Sequence, residues 1–427
     1  MSKQLLKDLP ELVQASVIDE ATADRIRHHY AGKPDLSSSR LVIVFGVLGA
    51  LLVGLGIILI IAHNWDGFGK TIKLGFALFP LLIGQLVCAF VLLRRPESSA
   101  WRESAATFLV MAVAAGISIV SQVYNIEGSL SGFLFIWMAL TLPVIYIMRS
   151  SLASLIYICG ITWYACELSY FHYPNAIAWW YWGFLAAALP YYYYLFTRHS
   201  RSNFFYFHSW LLAGSVTCVL GMFGDQLEEL TVFLYMNAFA IFMLLGQLDT
   251  LRNNRLISNG FLIAGSLGTS ALLLFLSFEG FWQEIFRQRN EIPSMAFNAY
   301  WLSLAIAIGL LILVGLRQSL LKLNLKSYAF IAAFILLLIS HASPEVPRIL
   351  VNILLFAFGV FTIRDGAHQN RLSILNYGLM IISALIVCRF FDTHMSFVTR
   401  GLLFVAVGAG FFVANYWMIR KRKNQSA

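Results

Sequence analysis

The stretch LVIVFGVLGALLVGLGIILIIAH, Leu41 to His63, runs for 23 residues without a charged side chain. A helix rises about 1.5 Å per residue and a bilayer's hydrocarbon core is about 30 Å thick, so about 20 apolar residues make one crossing. The turn that follows, Asn64-Trp65-Asp66, supplies the amide, aromatic and carboxylate groups of a membrane interface. Apolar runs of similar length recur along the chain. They begin near Leu41, Ile72, Ala105, Gly132, Leu152, Ala176, Phe204, Thr231, Ile257, Phe297, Ser327, Ile349, Leu372 and Phe397. Those near Phe204, Ser327 and Ile349 are polar or short, and one of them is open to a re-entrant reading.

Composition points the same way. Hydrophobic residues make up 59% of the chain, aromatic residues 15% and charged residues 12%, with a mean hydropathy of +0.74. A soluble domain carries about 25% charged residues, so this chain lacks the charge to cover a soluble surface. The expected fold is all-α, a polytopic transmembrane helix bundle of about 14 spans over residues 41–418. A small cytoplasmic N-terminal helical pair and linker occupy residues 1–40, and a basic cytoplasmic tail occupies 419–427. Charged residues from Lys3 to Arg25 leave no apolar leader before Leu41, so the first run is expected to be retained as a span.

Within residues 1–40 one helix is expected across Lys3–Ala15 and another across Glu20–Tyr30, with Asp19 as N-cap. Leu5, Leu9, Leu12 and Val13 form one apolar stripe, and Ile18, Ala21, Ile26 and Tyr30 supply the facing one. So small a pair cannot bury a core alone, which makes the membrane domain or a cytoplasmic or membrane protein partner its expected neighbour. Gly32 to Ser39 reads as the linker.

Lys and Arg favour cytoplasmic loops. With the amino terminus inside, 23 of the 30 fall on the inner side and 7 on the outer. That asymmetry predicts a bacterial inner (cytoplasmic) membrane protein with both termini in the cytoplasm. The net charge of +9 is scattered over short loops rather than gathered into a stripe, which excludes a nucleic-acid partner and leaves the lipid bilayer as the principal one. The five cysteines lie in apolar runs with no CxxC pair and read as core residues. With no phosphate loop, zinc motif or nucleophile elbow present, no catalytic residue, cofactor or metal is expected.

Polar chemistry gathers at the predicted outer boundary. The candidate ligand or transport site comprises Asn64, Trp65, Asp66, Gln122, Tyr124, Glu127 and Glu167. Amide, aromatic and carboxylate groups together suit a sugar, a lipid head group or a peptide, and they equally form an interfacial cap. Glu167, inside ITWYACELSY, is a proton or cation site if buried and a solvated helix end if not. An alternative outer-face cluster holds His341, Arg348, Arg389, Asp392 and His394, suited to a pyrophosphate-linked lipid. The runs AWWYWGF (Ala178–Phe184) and YYYY (Tyr191–Tyr194) fit an aromatic belt.

Three segments in order, LPELVQASVIDEATADRIRHHY (Leu9–Tyr30), GLGIILIIAHNWDGF (Gly54–Phe68) and SQVYNIEG (Ser121–Gly128), resemble the bacterial predicted integral membrane protein family called domain of unknown function 2157. CRFFD (Cys388–Asp392) is similar too. The sequence departs from the family pattern at Ser16, commonly glycine, and at His63, commonly a small residue. The resemblance implies an inner-membrane protein without an established activity. The leading expectation is a non-enzymatic transporter-like or envelope scaffold protein, in which a transport route requires Glu167 and the Gln122 region to line one cavity. The alternative is a periplasm-facing membrane enzyme acting on lipid-linked sugars or envelope polymers.

Overall fold

The computed structural model describes residues 9–31 except 16, 65–171, 176–252 except 227, 256–287, 294–340 except 319–322 and 324, 342–392 except 344, and scattered positions between 398 and 416. The run that opened the sequence reading, Leu41 to His63, lies outside them, as does the linker. Every regular element among the described residues is helical. The chain forms two compact units, Met1–Gly75 and Phe76–Ala427.

In the first unit, residues 9–14 form α1 and Glu20–Ala31 form α2. Leu9 and Ala23 are fully buried. The second apolar stripe is shifted from expectation: Ala21 is exposed and Ala23 is covered, because Ala23 and Ile26 share a helical face at i, i+3 and Ala21 falls off it. Asp19 caps α2. Its backbone carbonyl accepts from the amides of Thr22 (3.1 Å) and Ala23 (3.0 Å), and its carboxylate accepts from Thr22.

In the order of the chain follow α3 (Lys70–Arg94), α4 (Ser99–Tyr124), α5 (Leu130–Met148), α6 (Ser151–Cys166), α7 (Trp179–Arg198), α8 (Asn203–Leu220) and α9 (Glu228–Gly246). After these come α10 (Gly260–Leu276), α11 (Glu279–Arg287), α12 (Ser294–Gln318), α13 (Ala329–Ser340), α14 (Glu345–His368) and α15 (Leu372–Asp392).

Eight helices among the described residues are long and apolar enough to cross a membrane, and nine if α10 and α11, bent by 78°, count as one. The count among the described residues falls short of the expected fourteen, for identifiable reasons. The segment near Leu41 is not described and the last is described only at scattered positions. The helix near Ala176, α7, has 20 residues but its tryptophans and tyrosines lower its hydropathy. The helical segments Leu230–Gly246 and Leu325–Ser340 are short. The segments near Phe204 and Ile349, expected to be weak, form full-length helices, Asn203–Gly224 and Glu345–His368.

Two apolar cores organise the second unit. Tyr157, Tyr181 and Phe205 sit in the first, and Trp282, Phe330 and Phe358 in the second. α9 serves both, giving Leu234 and Ala238 to one and Phe233, Met236 and Ala240 to the other, as a helix apolar all round must. Polar anchors fix which helix ends meet. The Glu103 carboxylate, near the start of α4, accepts from the amides of Ser151 and Leu152, both at 2.8 Å, and from the Ser150 hydroxyl, placing a negative charge on the N-terminus of α6. The Tyr191 hydroxyl, in α7, donates to the Arg149 carbonyl at 3.2 Å. At the far end, the Tyr170 hydroxyl donates to the Cys218 carbonyl at 2.6 Å.

α14 and α15 approach so closely that Gly378 has no room for a side chain: a Cβ there would stand 2.7 Å from the Ile363 amide nitrogen and 2.8 Å from the Gly359 carbonyl oxygen. Backbone atoms cannot rotate aside, and such overpacking costs about 1–3 kcal/mol. Gly378→Val should therefore lower the melting temperature in mild detergent, while Gly309→Val, whose Cβ position is open, should change it little; equal effects would show that close backbone contact is not what Gly378 provides.

The Asp19 carboxyl is held below its ordinary range, first by the side-chain bond from Thr22. Its cap is thus fully present above the unfolded value of about 4 and is lost as the pH falls through the lower folded value. Amide exchange at Thr22 should speed up in Asp19→Ala at neutral pH, and wild type should converge on the variant in acid. Equal protection at neutral pH would remove the cap.

Candidate functional site

The candidate residues distribute over several places. Trp65 and Asp66 form a 3-10 turn with Gly67, and the Lys73 ammonium lies 5.2 Å from the Trp65 ring centre. Asn64 lies outside the described residues. In the second unit, SQVYNIEG closes α4. Asn125 adopts the left-handed conformation (φ 49°, ψ 45°) that ends the helix, tolerated by an asparagine. The Ile126 amide donates to the Ser121 carbonyl at 2.9 Å and the Ser121 hydroxyl donates to the Ile126 carbonyl at 3.0 Å. Ser129 then caps α5, accepting from the Gly132 amide at 3.1 Å. Much of the motif's polarity therefore serves to end one helix and begin the next.

Beside that turn runs a groove of about 870 Å³. Leu78, Leu81, Ile117, Phe133, Ile136 and Leu140 make its apolar length, and Ser121, Glu127 and Ser129 its polar end. Glu127 reaches the groove; Gln122 and Tyr124 are exposed and do not line it. Glu167 belongs elsewhere. It opens a π-helical turn, Glu167–Phe171, that continues α6, a local over-winding often found at functional positions, and it is half-buried. Thr162 of α6 and Ser215 of α8 share a hydroxyl bond at 2.5 Å, and the Tyr181 hydroxyl of α7 meets Ser215 at 2.8 Å. The groove does not bring Glu167 to the Gln122 region.

Of the alternative cluster, Arg348 and Arg389 converge on the bend between α10 and α11. Arg348 pairs with Glu279, Arg389 donates to the Ser277 hydroxyl at 3.2 Å and stacks 4.9 Å from the Phe278 ring centre. Asn352 adds a bond to the Ser277 carbonyl at 3.2 Å, and the Trp282 indole donates to the Leu276 carbonyl at 2.6 Å. These contacts satisfy the carbonyls exposed where α10 stops. His341 and His394 lie outside the described residues, as does the Asp392 side chain.

One polar centre escaped sequence reading. Lys326, one of the basic residues scattered over short loops, is only 3% exposed. Its ammonium donates to the Ser266 hydroxyl at 3.1 Å and lies 4.2 Å from the Tyr377 ring centre. The Tyr377 hydroxyl in turn donates to the Ser266 carbonyl at 2.9 Å and meets the Ser270 hydroxyl at 2.9 Å. Next to Lys326, the Ser327 hydroxyl accepts from Gln247 at 2.6 Å. Withdrawing an ammonium from water costs several kcal/mol, offset here by the aromatic face, worth about 2 kcal/mol when desolvated, by the Ser266 bond and by the field of Asp365. The available signal was adjacency: Lys326 directly abuts SYAFIAAFILLLIS.

The clamp at the bend makes a quantitative expectation. Arg348 and Glu279 are 27% and 42% exposed as side chains, so their pairing is screened and worth about 1 kcal/mol or less. A double-mutant cycle of Arg348→Ala and Glu279→Ala, read by thermal unfolding in detergent, should give a non-zero coupling of that size; strictly additive losses would mean the pair holds nothing.

No curated protein and no solved structure matches the chain. Its apolar helices mark a membrane protein, and residues 10–154, which include the SQVYNIEG turn, match the model of the family described as "Predicted membrane protein (DUF2157)".

Proposed function

We propose that this is a transporter-like carrier of a bacterial inner membrane, with both termini cytoplasmic, that handles a small anionic solute at Lys326. The observation that carries the reading is the burial of the Lys326 ammonium among the hydroxyls of α10 and α15. A charged group inside a helix bundle marks a solute or proton path by default. Its partner helix α10 is the one that breaks at 78° into α11, and discontinuous helices are where carriers bind their substrates. The 23 to 7 division of basic residues supports the orientation.

The reading as an enzyme of lipid-linked sugars has less support, because Arg348 and Arg389 are engaged by Glu279, Ser277 and Phe278 at the bend. Residues 1–40 would then offer the cytoplasmic contact surface, and the Glu127 groove a lipid-facing one.

Full-length protein in proteoliposomes, challenged on a solid-supported membrane with short carboxylates, amino acids, sulfate and phosphate, should give a solute-dependent current. Lys326→Gln should abolish it and Tyr377→Phe, which keeps the ring and removes the hydroxyl, should weaken it. Silence across the panel in wild type, or a current indifferent to Lys326→Gln, would overturn the assignment.

A further inference from the structure

The last turns of α5 and α7 flank an open cavity of about 660 Å³ lined by Arg149, Arg198, His199, Tyr146, Tyr191 and Tyr194, of which the two arginines, His199 and Tyr146 are exposed. That volume lies within the range of small-molecule pockets, about 300–1,000 Å³. We infer that this cavity is a binding site for a phosphate group, gripped by the guanidinium groups of Arg149 and Arg198.

Four observations support it. Neither guanidinium has a hydrogen-bond or ion-pair partner among the described residues. Arg149 sits in the left-handed region (φ 48°, ψ 47°), a conformation costing about 1–2 kcal/mol for a residue with a side chain. Its carbonyl is held there by the buried Tyr191. The nearby carboxylate, Glu103, makes its bonds to the start of α6, where two amides and a hydroxyl engage it, rather than to either arginine.

Around the two arginines stand other polar side chains. The Tyr194 hydroxyl and His199 Nε2 are 3.2 Å apart, and the Tyr191 hydroxyl also meets Ser151 at 3.0 Å. Planar guanidinium forks match phosphate oxygens two at a time, and the Tyr194 hydroxyl stands beside them as a further polar group, the hydroxyls of Tyr146 and Tyr191 being given to the Ala187 and Arg149 carbonyls. The site is built on different helices from Lys326, and its fate does not depend on the transport reading.

The phosphate has two possible sources, a phospholipid head group or a soluble phosphate compound, and separate probes distinguish them. Full-length protein would be titrated in phosphatidylcholine nanodiscs with a fluorescent phosphatidic acid, and in detergent with inorganic pyrophosphate. The variants are Arg149→Asn, which tolerates the left-handed backbone, Arg198→Gln, the pair together, and Arg95→Gln as a control, each checked by its melting temperature. Saturable binding in wild type should weaken roughly twenty-five-fold in the double variant, about a factor of five per arginine at a membrane surface, and should persist in Arg95→Gln. The single variants carry the same test should the pair not fold. Binding of phosphatidic acid without competition by pyrophosphate assigns the head group; competition by pyrophosphate assigns a soluble source. Absence of binding by both probes in wild type, or an Arg95→Gln effect as large as that of the double variant, would overturn the site by showing diffuse surface charge instead.

Discussion

A backbone amide in hydrocarbon has no water to bond, and each one left unsatisfied costs several kcal/mol. Helices close those bonds internally, which is why the described part of this chain is built from helices and why its outer surface can be apolar. Leu86, Leu93 and Leu316 are 70%, 80% and 80% exposed, a liability in water and an ordinary surface against acyl chains. The constraint also explains where the polar side chains go. They gather where helices stop: Glu103 at the start of α6, Ser121 and Ser129 around the turn after α4, and Arg348, Asn352 and Arg389 where α10 breaks.

Helix positions were legible in the sequence because apolar run length reads backbone burial directly. The runs at Ile72, Ala105, Gly132, Leu152 and Leu372 became α3, α4, α5, α6 and α15 with small shifts at their ends, and Asp19 was recognisable as a cap from its residue type. Span number was less legible, since hydropathy does not separate a full crossing from a short helix such as α13 or an aromatic one such as α7. α11 was missed because its stretch, Glu279 to Arg287, mixes charge with Phe281 and Trp282; its apolar side packs into the second core, with both rings against Phe233 of α9.

Polar convergence was the least legible feature. Lys326, Ser266 and Tyr377 are separated by 60 and 111 positions from their partners across the site, so no local pattern connects them. Arg149 and Arg198 are 49 positions apart among basic residues scattered over short loops, whereas the ends of α5 and α7 bring them to one cavity. Conversely, the Ser121–Gly128 motif, conspicuous in sequence, is largely engaged in capping. A polar motif at a helix end is read by the backbone first, and only the groups left over face a ligand.

The bend after α10 also has a history in time. The residues that stabilise it lie 69, 75 and 112 positions later in the chain, on α14 and α15. A ribosome that has just delivered Phe278 has not yet made any of them. Until α14 arrives, α10 and α11 enter the bilayer with the Ser277 carbonyl and the Glu279 carboxylate lacking their later partners, and the Arg389 contact must wait for the end of α15. The angle between α10 and α11 is therefore set late in biogenesis, by helices inserted after it, and the second half of the protein acquires its final form only when nearly the whole chain has been synthesised.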